Sequence, residues 1–213
     1  MSRLGRINYE LYNKERNKLL VGHQFWKIPY RTTRPYDIAY EAVSTYDKPR
    51  ILDVGANNKS FRDYLEKKGS PFHYKSFDTD TTYDHDYQRL EEIDERFDII
   101  TMFAVVEHIE PRVFIDEILP ALNGLIESGG LLIIYTNNIY HPLGIRTDID
   151  HVIGYGIREL HAICVHSGFE SSRYYRNGGV NRLTRPFYEF LSRTILWPYR
   201  MDYATSIYYE ARK

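Results

Sequence analysis

The chain has 213 residues, 43% hydrophobic and 27% charged, which fits one ordinary globular α/β domain and excludes two large ones. No apolar run is long enough to span a membrane and the opening MSRLGRINYE lacks the apolar stretch of a secretory signal, so a cytoplasmic protein is expected. The net charge of -1 is unevenly spread: residues 1–35 carry 8 basic and 2 acidic groups, residues 36–172 carry 12 and 24, and residues 173–213 carry 8 and 3.

Basic ends folded over one edge would make a positive rim for an acidic or phosphorylated substrate, and solvated cations on exposed helices are the plainer alternative. The lack of an overall basic character argues against a nucleic-acid partner, although the basic ends keep that class open. The single cysteine, Cys164, excludes an internal disulfide and reads as a small buried apolar side chain. The 20 tyrosines are dense enough to line a pocket or an interface.

Residues 5–20 form a mostly polar helical pattern with Ile7, Leu11 and Leu19 or Leu20 on one side, a peripheral cap. Residues 23–34, HQFWKIPYRTTR, set Trp26, Pro29 and Tyr30 among cations without periodicity and read as a loop or lid. Helical spacing returns over 36–46 at Ile38, Val43 and Tyr46.

Residues 50–61, RILDVGANNKSF, are the stretch around which the remainder of the chain is organised. Apolar residues alternate with Asp53 and run into Gly55, after which 56–60 reads as a turn and helix start, so the stretch is a buried strand ending in a tight loop. A carboxylate at the strand end, then glycine, suits a place where backbone approaches a ligand while an anion meets a cationic or hydroxylated group. Asn57 or Asn58 can hold the turn, because asparagine tolerates positive φ. A nicotinamide fingerprint fails at Asn57 and Ser60, and a phosphate-binding loop fails at Asp53 and Asn58, where its glycines would stand. The first strand of any α/β protein is the plain alternative.

A helix over 60–68 faces Phe61 and Leu65 inward and stops at Gly69. FHYKSF, 72–77, is a second strand ending at Asp78-Thr79-Asp80. A carboxylate there, about twenty residues past a glycine loop, is where dinucleotide-type folds hold a ribose, one carboxylate accepting from both hydroxyls. Asp78 is the first choice and Asp80 the second. Within the acidic stretch 81–95, YDHDY is a candidate short third strand.

FDIITMFAVV, 97–106, has the unbroken apolar character of a parallel strand covered on both faces, and it runs into Glu107-His108-Ile109. A helix over 112–128 is interrupted by Pro120 and stopped by Gly129-Gly130. LLIIY, 131–135, is the next strand. Within 151–170, Ile157, Leu160, Ile163 and Cys164 fall at core spacing on a helix that ends at Ser-Gly-Phe before a strand. Residues 177–200 read as an insertion whose apolar helix carries Phe187, Phe190, Leu191, Ile195, Leu196 and Trp197. Core packing is the expected use of that stripe, with a homodimer contact across 187–197 or membrane docking as alternatives. SIYYEA, 206–211, is the last strand.

RILDVGANNKSF resembles the first motif of the class I S-adenosylmethionine-dependent methyltransferases, with Gly55 kept and Asn57 and Lys59 where that family most often has glycines. FDIITMFAVVEHIE resembles the family's small-molecule members more specifically, and the Ser-Gly-Phe helix end and final strand continue the resemblance over about residues 36–213. It implies an α/β fold: a three-layer, Rossmann-like, seven-stranded and mostly parallel sheet with an antiparallel last strand and a helical N-terminal lid. Residues 1–35 would then be the helix and lid segment, and 36–213 the methyltransferase domain with its insertion at about 177–200.

The resemblance implies S-adenosylmethionine as cofactor, with Asp53, Gly55 and Asn57 about the methionine part and Asp78 with Thr79 at the ribose. Asp86, with Asp84 behind it, would meet the adenine, and the backbone at Phe103 the amino group. Trp26 and Tyr30 would lie near the substrate. The implied reaction is methyl transfer to a small molecule, at a hydroxyl oxygen of a glycan or secondary-metabolite type acceptor. RNA methyl transfer and a non-catalytic binding protein that keeps the fold are the alternatives.

A hydroxyl acceptor must lose its proton, and histidine titrates near neutrality. Three histidines fall on loops at the expected strand ends: His108, the first choice as base or orienting group, then His141 and His151. The grouping His141, Asp148, Asp150 and His151 reads as a solvated loop, and no metal site is expected.

Overall fold

The computed structural model describes residues 8–19, 24–144 and 148–213, so Ile7 and Leu20 of the predicted first helix lie outside the described residues. Seven strands form one sheet: β1 (Tyr30–Arg31), β2 (Arg50–Val54), β3 (His73–Phe77), β4 (Phe97–Phe103), β5 (Ile126–Asn137), β6 (Glu170–Asn177) and β7 (Ser206–Arg212). Their spatial order is β1-β6-β7-β5-β4-β2-β3, and β7 alone runs antiparallel to its neighbours, β5 and β6.

The unbroken apolar runs in β2, β4 and β5 have a direct cause: Ile51, Leu52, Ile99, Ile100, Leu132 and Ile133 are fully buried because both faces of the sheet are covered. On one face, α2 (Pro35–Val43) and α3 (Ser60–Lys68) bury Ile38, Val43, Phe61 and Leu65 against Ile51, Ile99 and Ile133. The other face is covered from α4 (Pro111–Val113), which continues through a π-helical turn at Phe114–Ile118 into α5 (Leu119–Leu125), and from α6 (Ile157–His166). There Leu119, Leu122, Leu160, Ile163 and Cys164 pack on Leu52, Ile100 and Leu132. The three-layer α/β expectation holds. α1 (Tyr9–Leu19) lies along α6, where the Arg158 guanidinium donates to the Arg16 carbonyl and the Asn17 side chain.

Three local expectations change. Tyr30–Arg31, within the predicted loop or lid, is an edge strand parallel to β6, with Tyr30 buried and its hydroxyl donating to the Gly178 carbonyl at 2.6 Å. YDHDY forms a single bridge, Phe77 to Tyr87, in place of a third strand. The reason is local: the Asp86 carboxylate takes the Ser76 N–H at 2.9 Å, an edge donor that a longer ladder would need.

The third change is the insertion, α7 (Arg185–Leu191) followed by a π-helical turn at Ser192–Leu196, which leaves its apolar stripe outside the core. Phe187 is 60% exposed, Phe190 61%, Ile195 56% and Trp197 45%. The helix packs its other side, through Tyr188 and Leu196, on Tyr30, Tyr203 and Ala204.

Strand register makes one rim of the sheet. Val54 pairs with Phe77 and Met102, Met102 with Ile134, and Ser206 with both Asn137 and Asn177. The parallel strands therefore end level, and the loops that leave β2, β3, β4, β5 and β6 share that edge.

Candidate active site

The chain leaves β2 and β3 to one side and returns to the other side of β2 with β4, so the topological switch point lies between β2 and β4. Gly55 stands there at φ +69°, and a Cβ on it would lie 2.3 Å from Val105 Cγ2. Glycine is required because the loop after β4 crosses directly over the turn. Asn57 (φ +42°) and Lys59 (φ +60°) also adopt left-handed backbone, so the turn keeps its shape without the family's other glycines. The Asn57 N–H donates to Asp78 Oδ2 at 2.8 Å, and Asp78 Oδ1 accepts from Asp80 N at 3.0 Å. The tips of β2 and β3 are thus joined directly through the first-choice carboxylate, beside exposed Thr79.

Asp53 is buried one residue before the end of β2. It accepts from the Tyr74 hydroxyl on β3 at 2.6 Å and from the Thr101 hydroxyl on β4 at 2.7 Å. Burial pushes its carboxyl up to about 6 against the pull of those two donors, and the nearby Asp78 charge adds to the rise. The carboxylate therefore braces three strands and stands close to its own titration at neutral pH. No sequence signal points to Tyr74 and Thr101 beyond their alternation on strands flanking Asp53.

Asp86 is held by Lys75 Nζ at 3.0 Å and by both the N–H and the hydroxyl of Ser76. Burial would raise its pKa, but the Ser76 and Lys75 donors outweigh it and the net shift is downward. Asp84, His85 and Asp86 line an open cleft of about 360 Å³ with Lys59, Arg62 and Tyr74. Phe103, at the end of β4, packs between Tyr36 and Phe61 at 4.9 Å from each. Ala104 then turns at φ +54° and leads the loop over Gly55.

Two of the three histidines come together. His108, exposed in the 3-10 turn Val106–His108, meets His151 ring to ring with centroids 4.8 Å apart. His141 is elsewhere, half-buried in a separate cleft with Tyr140, Pro142, Tyr199 and Met201. Burial lowers its pKa, partly offset by Asp202. Glu107, which precedes His108 in the Glu-His motif and has no role assigned from sequence, is buried beside the pair and accepts from the Thr136 hydroxyl at 2.8 Å. Of the aromatics expected near the substrate, Trp26 faces Trp197 at 6.3 Å and Tyr30 is in the sheet.

A further group at this rim was invisible in the sequence. Arg176, 1% exposed, donates to the Ile28 carbonyl, to Asp202 at 2.8 Å and to Glu189 at 3.0 Å. Asp202 also accepts from Asn138, so β5, β6, α7 and the entry to β7 are tied at one point.

A glycine turn joined to the carboxylate at the next strand tip, at the switch point of a doubly wound sheet with an antiparallel final strand, defines the class: a Rossmann-like domain of the methyltransferase kind. A family profile described as "Methyltransferase domain" matches residues 30–209, and the chain belongs to that family, the class I S-adenosylmethionine-dependent methyltransferases.

Solved structures agree on the fold. A SAM-dependent methyltransferase from Archaeoglobus fulgidus is 14% identical with a TM-score of 0.64, the match covering 84% of this chain and 92% of that one. The 1,6-didemethyltoxoflavin-N1-methyltransferase of Burkholderia thailandensis, with bound 1,6-didemethyltoxoflavin and S-adenosylhomocysteine, is 15% identical with a TM-score of 0.54 over 96% of this chain and 84% of that one. The [4+2]-cyclase SpnF is 14% identical with a TM-score of 0.60 over 96% and 93%. No curated protein sequence matches. Among the described residues no helix is long and apolar enough to cross a membrane.

Proposed function

We propose that this chain transfers the methyl group of S-adenosylmethionine to a hydroxyl oxygen of a small molecule of the glycan or secondary-metabolite kind, in the cytoplasm. The observation that carries the reading is the contact between Asn57 N–H and Asp78, which joins the glycine turn to the ribose-type carboxylate. The residues present fit a nucleoside cofactor: a turn that admits no side chain at Gly55, the Asp78 carboxylate at the tip of the adjacent strand, and an aromatic floor at Phe103.

Asp53, Gly55 and Asn57 would hold the methionine part, Asp78 with Thr79 the ribose, Asp86 the adenine, and the Phe103 backbone the amino group. The cofactor supplies an electrophilic methyl group on a cationic sulfur. The protein's task is to place the acceptor oxygen about 3 Å from that carbon, in line with the leaving sulfur, and to keep water out. His108 and His151, on the loops after β4 and β5, would orient the acceptor hydroxyl for loss of its proton. His141 lines the neighbouring cleft with Tyr199 and Met201 and would contact the distal part of the acceptor.

Calorimetry with S-adenosylmethionine and S-adenosylhomocysteine tests the cofactor, and absence of binding by both overturns the enzyme reading. Tritiated methyl incorporation into cell extract, followed by mass spectrometry of the labelled product, tests the acceptor. A label on nitrogen or on RNA removes the hydroxyl assignment. A chain that keeps the fold without methyl transfer is the second reading, favoured by the internal bracing of Asp53; it requires cofactor binding without label transfer. The exposed face of Phe187, Phe190, Ile195 and Trp197 would carry a homodimer contact, and sedimentation as a monomer at all concentrations would remove that part.

A further inference from the structure

Glu107, His108 and His151 each present a ligand-type atom within 4.8 Å of the other two, although 43 residues of chain separate His108 from His151. Backbone hydrogen bonds make this convergence part of the fold. The Val152 and Ile153 N–H groups both donate to the Glu107 carbonyl, at 2.8 and 3.3 Å, pinning the loop after β5 to the turn after β4.

Two of the three side chains, His108 and Glu107, also carry a partner of the kind that orients a metal ligand. His108 Nδ1 lies 3.3 Å from the Asp150 carbonyl, which can only accept, so Nδ1 carries the hydrogen and Nε2 keeps its lone pair. The Thr136 hydroxyl fixes one oxygen of Glu107 and leaves the other available. His151 is placed by the backbone contacts of its loop, and the Asn137 amide nitrogen, 3.4 Å from both of its ring nitrogens, selects neither as donor.

We infer that Glu107, His108 and His151 bind a divalent transition-metal ion, and that the ion holds the acceptor hydroxyl for methylation. Two imidazoles and one carboxylate form the donor set of zinc-type and related first-row sites, whereas magnesium and calcium prefer oxygen donors alone. Bonds of about 2.0–2.2 Å put tetrahedral ligand atoms about 3.4 Å apart, so no pair of the three need close by more than about 1.4 Å. The exposed His108 ring is the one with room to make that movement.

Burial grades across the set, from Glu107 inside through His151 to His108 at the surface, so protein covers one side of the ion and the other is open for a substrate oxygen. This set shares only His151 with the His141, Asp148, Asp150 and His151 grouping, which the sequence pattern assigns to a solvated loop.

The chemistry rests on the methyl-transfer reading. A hydroxyl bound to the ion ionises more readily, its proton passing to solvent on the open side. The resulting alkoxide oxygen forms the O–C bond as the S–C bond breaks, and the bonding pair returns to sulfur to leave a neutral thioether. A hydroxyl with a second oxygen in chelating distance, such as a sugar diol, suits an ion with open positions.

The test uses the full chain, stripped with chelator and titrated with Co2+ by visible absorption and with Zn2+ by calorimetry. One ion per chain is expected, with affinity reduced about 100-fold or more in His108→Ala and in His151→Ala and unchanged in the surface variant His73→Ala. His108 is exposed, so its variant stays informative if Glu107→Gln fails to fold. Equal uptake by wild type and the His108→Ala/His151→Ala double variant, or binding of Mg2+ alone, overturns the inference. S-adenosylhomocysteine affinity, measured on the same samples, is expected to be unaltered in both histidine variants. Loss of cofactor binding in the wild type would instead count against the methyltransferase reading and leave the metal result standing.

Discussion

Replacing Asp53 by asparagine tests whether its carboxyl is strained by burial. The side chain keeps its shape and an oxygen for the Tyr74 hydroxyl, while the charge disappears. Burial raises the carboxyl from 3.8 to about 6, and at 1.36 kcal/mol per pH unit that displacement is worth about 3 kcal/mol. Because the folded-state pKa is raised, this contribution to stability is fully present below the unfolded value and is lost as pH rises through about 6.

The stability of Asp53→Asn relative to wild type should therefore climb by about 3 kcal/mol between about pH 3 and pH 8. For a chain of this size that is a relative gain of about 6–12 °C in Tm. Denaturant unfolding of both proteins at matched pH values measures it, and titrating groups that do not interact with Asp53 cancel in the difference. A difference that stays flat across that range would mean the carboxyl ionises normally, and the argument that burial strains it would fail.

Asp78→Ala removes the acceptor for the Asn57 N–H and, on the proposed function, for the cofactor's ribose. At about 1.5–3 kcal/mol for even one charge-assisted hydrogen bond, S-adenosylhomocysteine should bind at least about 10- to 100-fold more weakly; unchanged affinity in calorimetry would move the ribose role elsewhere. Gly55→Ala drives a Cβ into Val105 Cγ2 at a positive φ and should abolish cofactor binding, and Val105→Ala in the same chain should restore it in part. If Gly55→Ala binds normally, the turn is not the cofactor's seat. Arg176→Met leaves Asp202 buried without its cation, so about 3–5 kcal/mol of stability should be lost in thermal unfolding. A loss below about 1 kcal/mol would show that the network is incidental to stability.

Much of the fold was legible because its signals are local. The helix over Ser60–Lys68 with its Gly69 cap, the twice-covered strand at Phe97 and the core spacing of Ile157, Leu160, Ile163 and Cys164 each arise from apolar periodicity and one stop residue. The carboxylate after β3 was legible for the same reason, since strand end and loop lie next to each other in the chain. The failures were non-local. An apolar stripe at 187–197 looks the same whether it faces a core or solvent, and two residues at 30–31 carry no periodicity from which an edge strand could be read.

The sequence by itself determined the α/β alternation, the glycine turn at Gly55 and the place of Asp78 just past β3, because these depend on residues within a few positions of one another. Only the tertiary structure decided that Asp53 is braced by Tyr74 and Thr101, that His108 meets His151 and leaves His141 apart, and that Glu107 stands beside the pair. Those contacts join strands and loops 21 to 48 residues apart, and their partners are chosen by strand order and register, which no local pattern of residues encodes.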